Sequence, residues 1–351
     1  MQHLLDWPRT VTRAWTDAAA ALTGIDQAHP APRLAPTPRA TVSREGTASL
    51  YRFVRPEGVP SASAVPVLLV PSLINRWYVL DLRAGASVVE ALAAAGLDTW
   101  LLDWGIPEDE DRHRSWTDVL DRLRRAVRRV KRETGAARVA LMGYCMGGTL
   151  ASIHAALFPD DIAALIDLAG PIDFAKGGML ARMVDPRWFD ADAIADAGNV
   201  APTQMQAGFV ALRPTLEAAK WVGQPDLIGD RAAQDAFRAL DTWASDNIPF
   251  PGDAYRTYIR ELYQGNALVR RAHRVRDRVA DLSQIKAPTL AIVASRDQIC
   301  PAPAACALLD HVGTKDVETL RVPGGHVGAV VGGRAAREMY PALIAWLRAR
   351  L

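Results

Sequence analysis

Cys145 stands in the stretch "LMGYCMGGTL" (141–150), with a glycine two positions before it and another two positions after. Glycine-x-nucleophile-x-glycine is the outline of a reactive side chain on a sharp turn from strand to helix. Such a turn needs small neighbours, because its strained backbone leaves no room for side chains at its flanks. Gly143 and Gly147 supply that room, and Gly148 adds more. A helix starting at Met146 would lie beneath the sulfur and favour the thiolate. Its first N–H, that of Met146, would face a developing oxyanion. The same outline also describes an inert cysteine in a glycine-rich turn, so partners decide between the two.

A thiol nucleophile needs a base, and the base needs an acid to orient it. In sheets with a nucleophile turn of this kind the chain order is nucleophile, acid, histidine. Asp297 follows the apolar run "PTLAIVAS" (288–295), and His326 follows "VETLRVP" (317–323). Both therefore fall at carboxyl ends of expected strands, where they converge on the crevice above Cys145. Taken singly, Asp297 could be a helix cap before "PAPAACALL" and His326 a loop histidine. Asp173, in "GPIDF", also follows an expected strand and is a second candidate for the acid. Asp297 is preferred because its strand immediately precedes the one that bears the histidine. His154, on the helix after the nucleophile, is expected to face its surroundings. His3, His29, His113, His273 and His311 match no catalytic position. Cys300 and Cys306 lie near Asp297, but no glycine turn presents them, and they read as packing thiols.

These residues need a scaffold that alternates strand and helix. "VPVLLV" (65–70), "LDTWLLDW" (97–104), "ARVALMG" (137–143) and "IAALIDLAG" (162–170) join the two runs above as short apolar segments, suited to strands buried on both faces of a parallel sheet. Between them, Trp116, Val119, Leu120, Leu123, Val127 and Val130 form one apolar stripe of a helix over 115–132, whose other face carries arginines. That arginine face reads as a solvated surface rather than a polyanion site. The alternation implies a doubly wound α/β sheet.

Four segments follow. Residues 1–48 comprise an amphipathic helix (1–25) and a Pro/Ala-rich extended connector; 49–174 form the first part of the core. Residues 175–286 break the alternation and read as a mainly helical cap inserted between two core strands; 287–351 complete the core. Trp188, Phe189, Trp221, Trp243, Tyr255 and Tyr258 in the cap, with Trp77 and Tyr78 earlier, are expected to pack.

Half of the 351 residues are hydrophobic, enough for one large core with an elaboration. Forty-one basic against 39 acidic side chains leave a net charge of about +2, which argues against a nucleic-acid partner. Three cysteines argue against a disulfide framework, and none has zinc spacing. No run approaches the length of a transmembrane helix, and the start lacks a signal-peptide pattern. The expectation is a soluble cytoplasmic protein.

With these motifs in place, the chain resembles the polyhydroxyalkanoate synthases, which polymerise 3-hydroxyacyl-CoA into storage polyester. The family's box G-x-C-x-G-G stands here as "GYCMGG". "VPSLINRWYVLDL", "TWLLDWGIPEDED", "WASDNIPFPGDAYRTYIRELYQGNAL", "ASRDQICP" and "VPGGHVGAVVGG" carry the resemblance from about residue 50 onward. It implies an α/β-hydrolase fold, a Cys145–His326–Asp297 triad, and an oxyanion hole from the N–H groups of Met146 and Ile74. It implies no cofactor, CoA being part of the substrate. The short segment before the core and "LYRFVRPEGVP" resemble the class III or IV catalytic subunits, although "DNIPFPGDAY" reads closer to class I. That implies a small partner subunit, a homodimer, and association with polyester granules. A thioester substrate explains the thiol: attack by Cys145 exchanges one thioester for another and keeps the acyl group ready to move on. Two alternatives share these residues in whole or part: a thioesterase, esterase or depolymerase-like hydrolase, and a catalytically silent subunit that binds granules or a partner.

Overall fold

The computed structural model describes residues 32–212 and 230–351. The expected helix over 1–25, the start of the connector, His3, His29 and Trp221 lie outside the described residues.

Eight strands form one sheet: β1 (Arg39–Glu45), β2 (Ala48–Phe53), β3 (Val67–Val70), β4 (Thr99–Asp103), β5 (Val139–Tyr144), β6 (Ile162–Leu168), β7 (Thr289–Ala294) and β8 (Val317–Val322). Their spatial order is β1-β2-β4-β3-β5-β6-β7-β8. The six strands from β4 to β8 run parallel to one another; β1 and β2 are antiparallel additions at one edge. The central runs are apolar without alternation because both faces are covered. In β3, Leu68 and Val70 enter the core on one face while Val67 and Leu69 enter the core on the other.

Helices cover both faces. α1 (Val88–Ala94) packs on the face of Val67 and Leu69. α2 (Trp116–Thr134) packs on the opposite face through the expected stripe, with Trp116, Leu123 and Val130 buried. Ser115 and Asp118 close its start as a reciprocal capping box, and Gly135, at φ 72°, ends it. α3 (Met146–Leu157) follows β5 and is buried on every side.

Two elements differ from expectation. The end of the connector is strand: Arg39–Glu45 pairs with Ala48–Phe53 across a turn at Gly46, so a boundary at residue 48 would divide a hairpin. Its polar composition conceals it, because β1 is an edge strand facing water. β8, expected to be buried on both faces, is the opposite edge, and most of its residues are exposed.

Between β6 and β7 the chain builds α4 (Gly178–Met183), α5 (Ala191–Asp196), α6 (Pro202–Leu212), α7 (Arg231–Ser245) and α8 (Gly252–Thr257), which runs into a π-helical turn over Tyr258–Gln264. A two-residue hairpin, Arg274–Val275 with Arg278–Val279, precedes β7. Buried aromatic residues join this insertion to the core: Tyr258 stacks on Trp116 at 5.4 Å, and Phe174 meets Tyr263 edge-on at 4.7 Å. Trp77, Tyr78, Trp243 and Tyr255 are buried as expected, whereas Trp188 is 62% exposed.

Candidate active site

β5 ends in a turn that only this glycine pattern permits. Cys145 has φ 57° and ψ −129°, a left-handed conformation that costs a non-glycine residue about 1–3 kcal/mol. The surrounding contacts hold it there. Its N–H donates to Leu168 C=O at 2.9 Å, and its C=O accepts from Gly148 N–H at 2.8 Å. A side chain on Gly143 would meet Gly147 C=O at 2.1 Å, and one on Gly147 would meet Val70 C=O at 2.0 Å. The flanking glycines are therefore required by backbone-to-backbone approach. Met146 opens α3, so its N–H is a first-turn donor with no carbonyl of its own helix to bind.

His326 arrives on the loop after β8 and is buried, with Nδ1 2.7 Å from Asp297 Oδ2. Asp297 follows β7; its Oδ1 accepts the N–H groups of Ile299 and Cys300, each at 2.9 Å. That leaves the carboxylate one oxygen for the imidazole and fixes the ring's orientation. The ring packs on Tyr144, centroids 5.3 Å apart. Nε2, the nitrogen opposite Asp297, has no hydrogen-bond partner of good geometry, although Cys145 lies within electrostatic reach. Burial by itself pushes the imidazolium pKa down. The charge of Cys145 and the hydrogen bond to Asp297 outweigh it and raise His326 to about 10. That environment favours the charged imidazolium.

The other candidates lie elsewhere. Asp173 pairs with Lys176 at 3.0 Å and accepts from Asn266 Nδ2 at 2.9 Å. Ile74, on the loop after β3, borders Cys145; its N–H makes a long contact of 3.5 Å to Ser72 Oγ. His154 does not face outward. It is 1% exposed, because α3 is enclosed by the sheet and its neighbours, and neither ring nitrogen has a partner. His273 is buried and holds Glu261 at 2.8 Å.

Two cavities meet at Cys145, and Ile74, Phe209 and Ile299 border both. One, about 410 Å³, is edged by His326, Asn75, Asn247, Gln206, Arg296 and Gln298. The other, about 440 Å³, is apolar, with Met183, Phe189, Met205, Tyr255 and Tyr258 in its wall. Cys300 is buried, as expected of a packing thiol, and it also lines this second cavity. Burial pushes the Cys300 thiol well above its ordinary pKa. Among the described residues no group of three or more His, Cys, Asp or Glu side chains is placed to hold a metal ion, and no helix is long and apolar enough to cross a membrane.

Residues 65–331 match the family model of the alpha/beta hydrolase fold. A poly(3-hydroxyalkanoate) polymerase subunit PhaC of Allochromatium vinosum is 32% identical, covering 99% of this chain and 97% of its own. The subunit PhaC of Thiocystis violacea is 30% identical over 90% of this chain and 89% of its own. Among solved structures, a carboxylesterase of Nitrososphaera gargenis superposes with a TM-score of 0.52 at 17% identity, covering 89% of this chain and 98% of its own. That likeness concerns the fold alone. The fold and the glycine-framed turn thus define an α/β-hydrolase-type protein with a cysteine at the nucleophile position. Within that class, the chain belongs to the family of poly(3-hydroxyalkanoate) polymerase subunits.

Proposed function

We propose that this protein is an acyltransferase that polymerises (R)-3-hydroxyacyl-CoA, 3-hydroxybutyryl-CoA above all, into polyhydroxyalkanoate with release of CoA. Its relatives are named poly(3-hydroxyalkanoate) polymerase subunits. The observation that carries the chemistry is the 2.7 Å His326–Asp297 pair beside a strained, half-buried Cys145.

In this reading the Cys145 thiolate attacks the thioester carbonyl. The oxyanion is held by the Met146 N–H at the start of α3 and by the Ile74 N–H, once it exchanges its long Ser72 contact for the substrate. The intermediate collapses, the CoA sulfur leaves with the proton of the His326 imidazolium, and the acyl group remains on Cys145 as a thioester. The 3-hydroxyl of the next monomer or chain end then gives its proton to neutral His326 and attacks that carbonyl. An ester forms and the Cys145 thiolate leaves. Asp297 orients the ring throughout. The cavity edged by His326, Arg296 and the side-chain amides suits the CoA side of the substrate, and the other cavity the acyl side. An insertion over the site excludes water, which would otherwise end the chain.

The reading includes no cofactor, since CoA enters and leaves with the substrate. It includes a small partner subunit of the class III or IV kind, a homodimer, and a cytoplasmic place at the surface of polyester granules. The test is CoA release from 3-hydroxybutyryl-CoA, followed with a thiol reagent, for wild type and Cys145→Ala, each with its partner subunit. Insoluble polymer is weighed in parallel. Release with polymer, both abolished by the substitution, is expected. Soluble hydroxyacid without polymer would point to a hydrolase. A Cys145→Ala protein as active as wild type would end the reading.

A further inference from the structure

The loop after β3 is bonded, nearly residue by residue, to the turn that follows α7. Ile74 C=O accepts from Ile248 N–H at 3.3 Å. Asn75 and Asn247 form an antiparallel bridge, and Asn75 Nδ2 donates to Asn247 Oδ1. Arg76 C=O accepts the indole N–H of Trp243 at 2.9 Å, and Tyr78 Oη donates to Asp246 Oδ2 at 2.7 Å. The two segments are far apart in sequence, and the second belongs to the insertion between β6 and β7.

Asn247 is the joint of this contact. Its Oδ1 accepts from Asn75, and its Nδ2 donates to Gln206 Oε1 at 2.5 Å and to Ala244 C=O at 3.0 Å. Three side-chain amides thus run in series from the β3 loop through the turn to α6. Asn75, Asn247 and Gln206 all border the cavity that His326 and Cys145 share. Only a primary amide can accept at one end and donate twice at the other within this length. A carboxylate has no donor, and an apolar side chain would leave Asn75 and Gln206 unpaired beside the cavity.

The contacts begin at Ile74 and continue on its C-terminal side. Its carbonyl is tied to the insertion directly, and the next residue is tied through Asn247, so the position of Ile74, and with it that of its N–H, is held from outside the loop. We infer that Asn247 is a positioning residue for the reaction: it couples the seating of the helical insertion to the placement of the Ile74 N–H. The oxyanion site is then complete only while the insertion is docked on the β3 loop. This rests on the function proposed above.

The test separates two reactions of Cys145. Acylation by 3-hydroxybutyryl-CoA develops an oxyanion, whereas alkylation by iodoacetamide needs only the thiolate. In Asn247→Ala, single-turnover CoA release is expected to fall about 10²-fold, the size of losing one oxyanion donor. KM and the alkylation rate should stay within about threefold, since neither depends on transition-state charge. Asn247→Asp, which keeps the acceptor for Asn75 and loses both donors, should fall between Ala and wild type. Far-UV circular dichroism shows whether each variant is folded. Equal losses of acylation and alkylation in a folded variant would mean a general collapse of the site and would overturn the inference. So would unchanged acylation. Wild-type protein that alkylates but never releases CoA, partner subunit included, would overturn the proposed function and this inference with it.

Discussion

His326 Nδ1 lies 2.7 Å from Asp297 Oδ2, while the other carboxylate oxygen is occupied by two backbone N–H groups. The acid is thereby locked before it meets the ring. Asp297→Asn retains an oxygen for Ile299 and Cys300 but presents an amide, not a negative charge, to the imidazole. The ring then loses its orienting acceptor, and its charged form loses stabilisation. CoA release is expected to fall by about 10³- to 10⁴-fold, the effect of the same substitution in other nucleophile–His–Asp sites. A loss smaller than tenfold would remove Asp297 from the proposed triad.

The His326 environment also predicts a pH-dependent stability. Burial lowers its pKa, but the charge of Cys145 and the bond to Asp297 prevail and raise it to about 10, against about 6.5 in an unfolded chain. A group raised on folding stabilises fully below its unfolded value and loses that contribution as pH climbs through the folded one. The stability difference between wild type and His326→Gln should therefore be largest below about pH 6.5 and shrink toward pH 10. Urea unfolding at pH 6, 8 and 10 measures it. Repeating the comparison in a Cys145→Ala background should narrow that window, because the largest raising influence is gone. The same slope in both backgrounds would mean that Cys145 does not charge the site.

Much of the candidate site was legible because its side chains stand at strand ends, and strands buried on both faces announce themselves as apolar runs. Cys145, Asp297 and His326 each follow such a run. What escaped reading lacks that signal. β1 is polar, as an edge strand facing water is, and shows no apolar run. Asn247 sits in an irregular segment, and its importance depends on Asn75, 172 positions away in sequence. Periodicity reports local packing only, so an amide joining two distant loops leaves no trace in it. His154 differs from expectation for a related reason: the chain around it shows composition, not which side of a helix interface it reaches.

Gly148 illustrates a requirement visible only in space. A side chain there would meet Asp167 Oδ1 at 1.9 Å and Gly170 Cα at 2.9 Å. Asp167 is fully buried; Oδ1 accepts from Gly170 N–H at 3.0 Å, and Oδ2 has no partner. Burial, above all, pushes its carboxyl well above the usual range. Gly148→Ala should lower stability by about 1–3 kcal/mol through overpacking. In the double variant with Asp167→Ala, the new methyl occupies vacated space, and the combined loss should be smaller than the sum of the single losses. Chemical unfolding of the four proteins tests this. Strict additivity would show that the two positions do not compete for the same volume.

His154 makes the opposite pH prediction from His326. It is buried in α3 with both ring nitrogens unpaired, and its ring packs 5.1 Å from that of Phe158. Burial dominates and holds its pKa down at about 4; Asp161 pulls upward and Arg124 downward, and neither reverses it. Between about pH 6.5 and 4 the unfolded chain binds a proton that the folded protein refuses, so stability falls as the solution is acidified across that window. The loss attributable to this one side chain is on the order of 3 kcal/mol by pH 4. His154→Phe keeps a flat ring against Phe158 and removes the titration. Its midpoint should therefore decline less than that of wild type between pH 7 and 4.5, while the two proteins differ least near neutrality. Parallel declines over that range would show that His154 is protonated in the folded protein as readily as in the unfolded one.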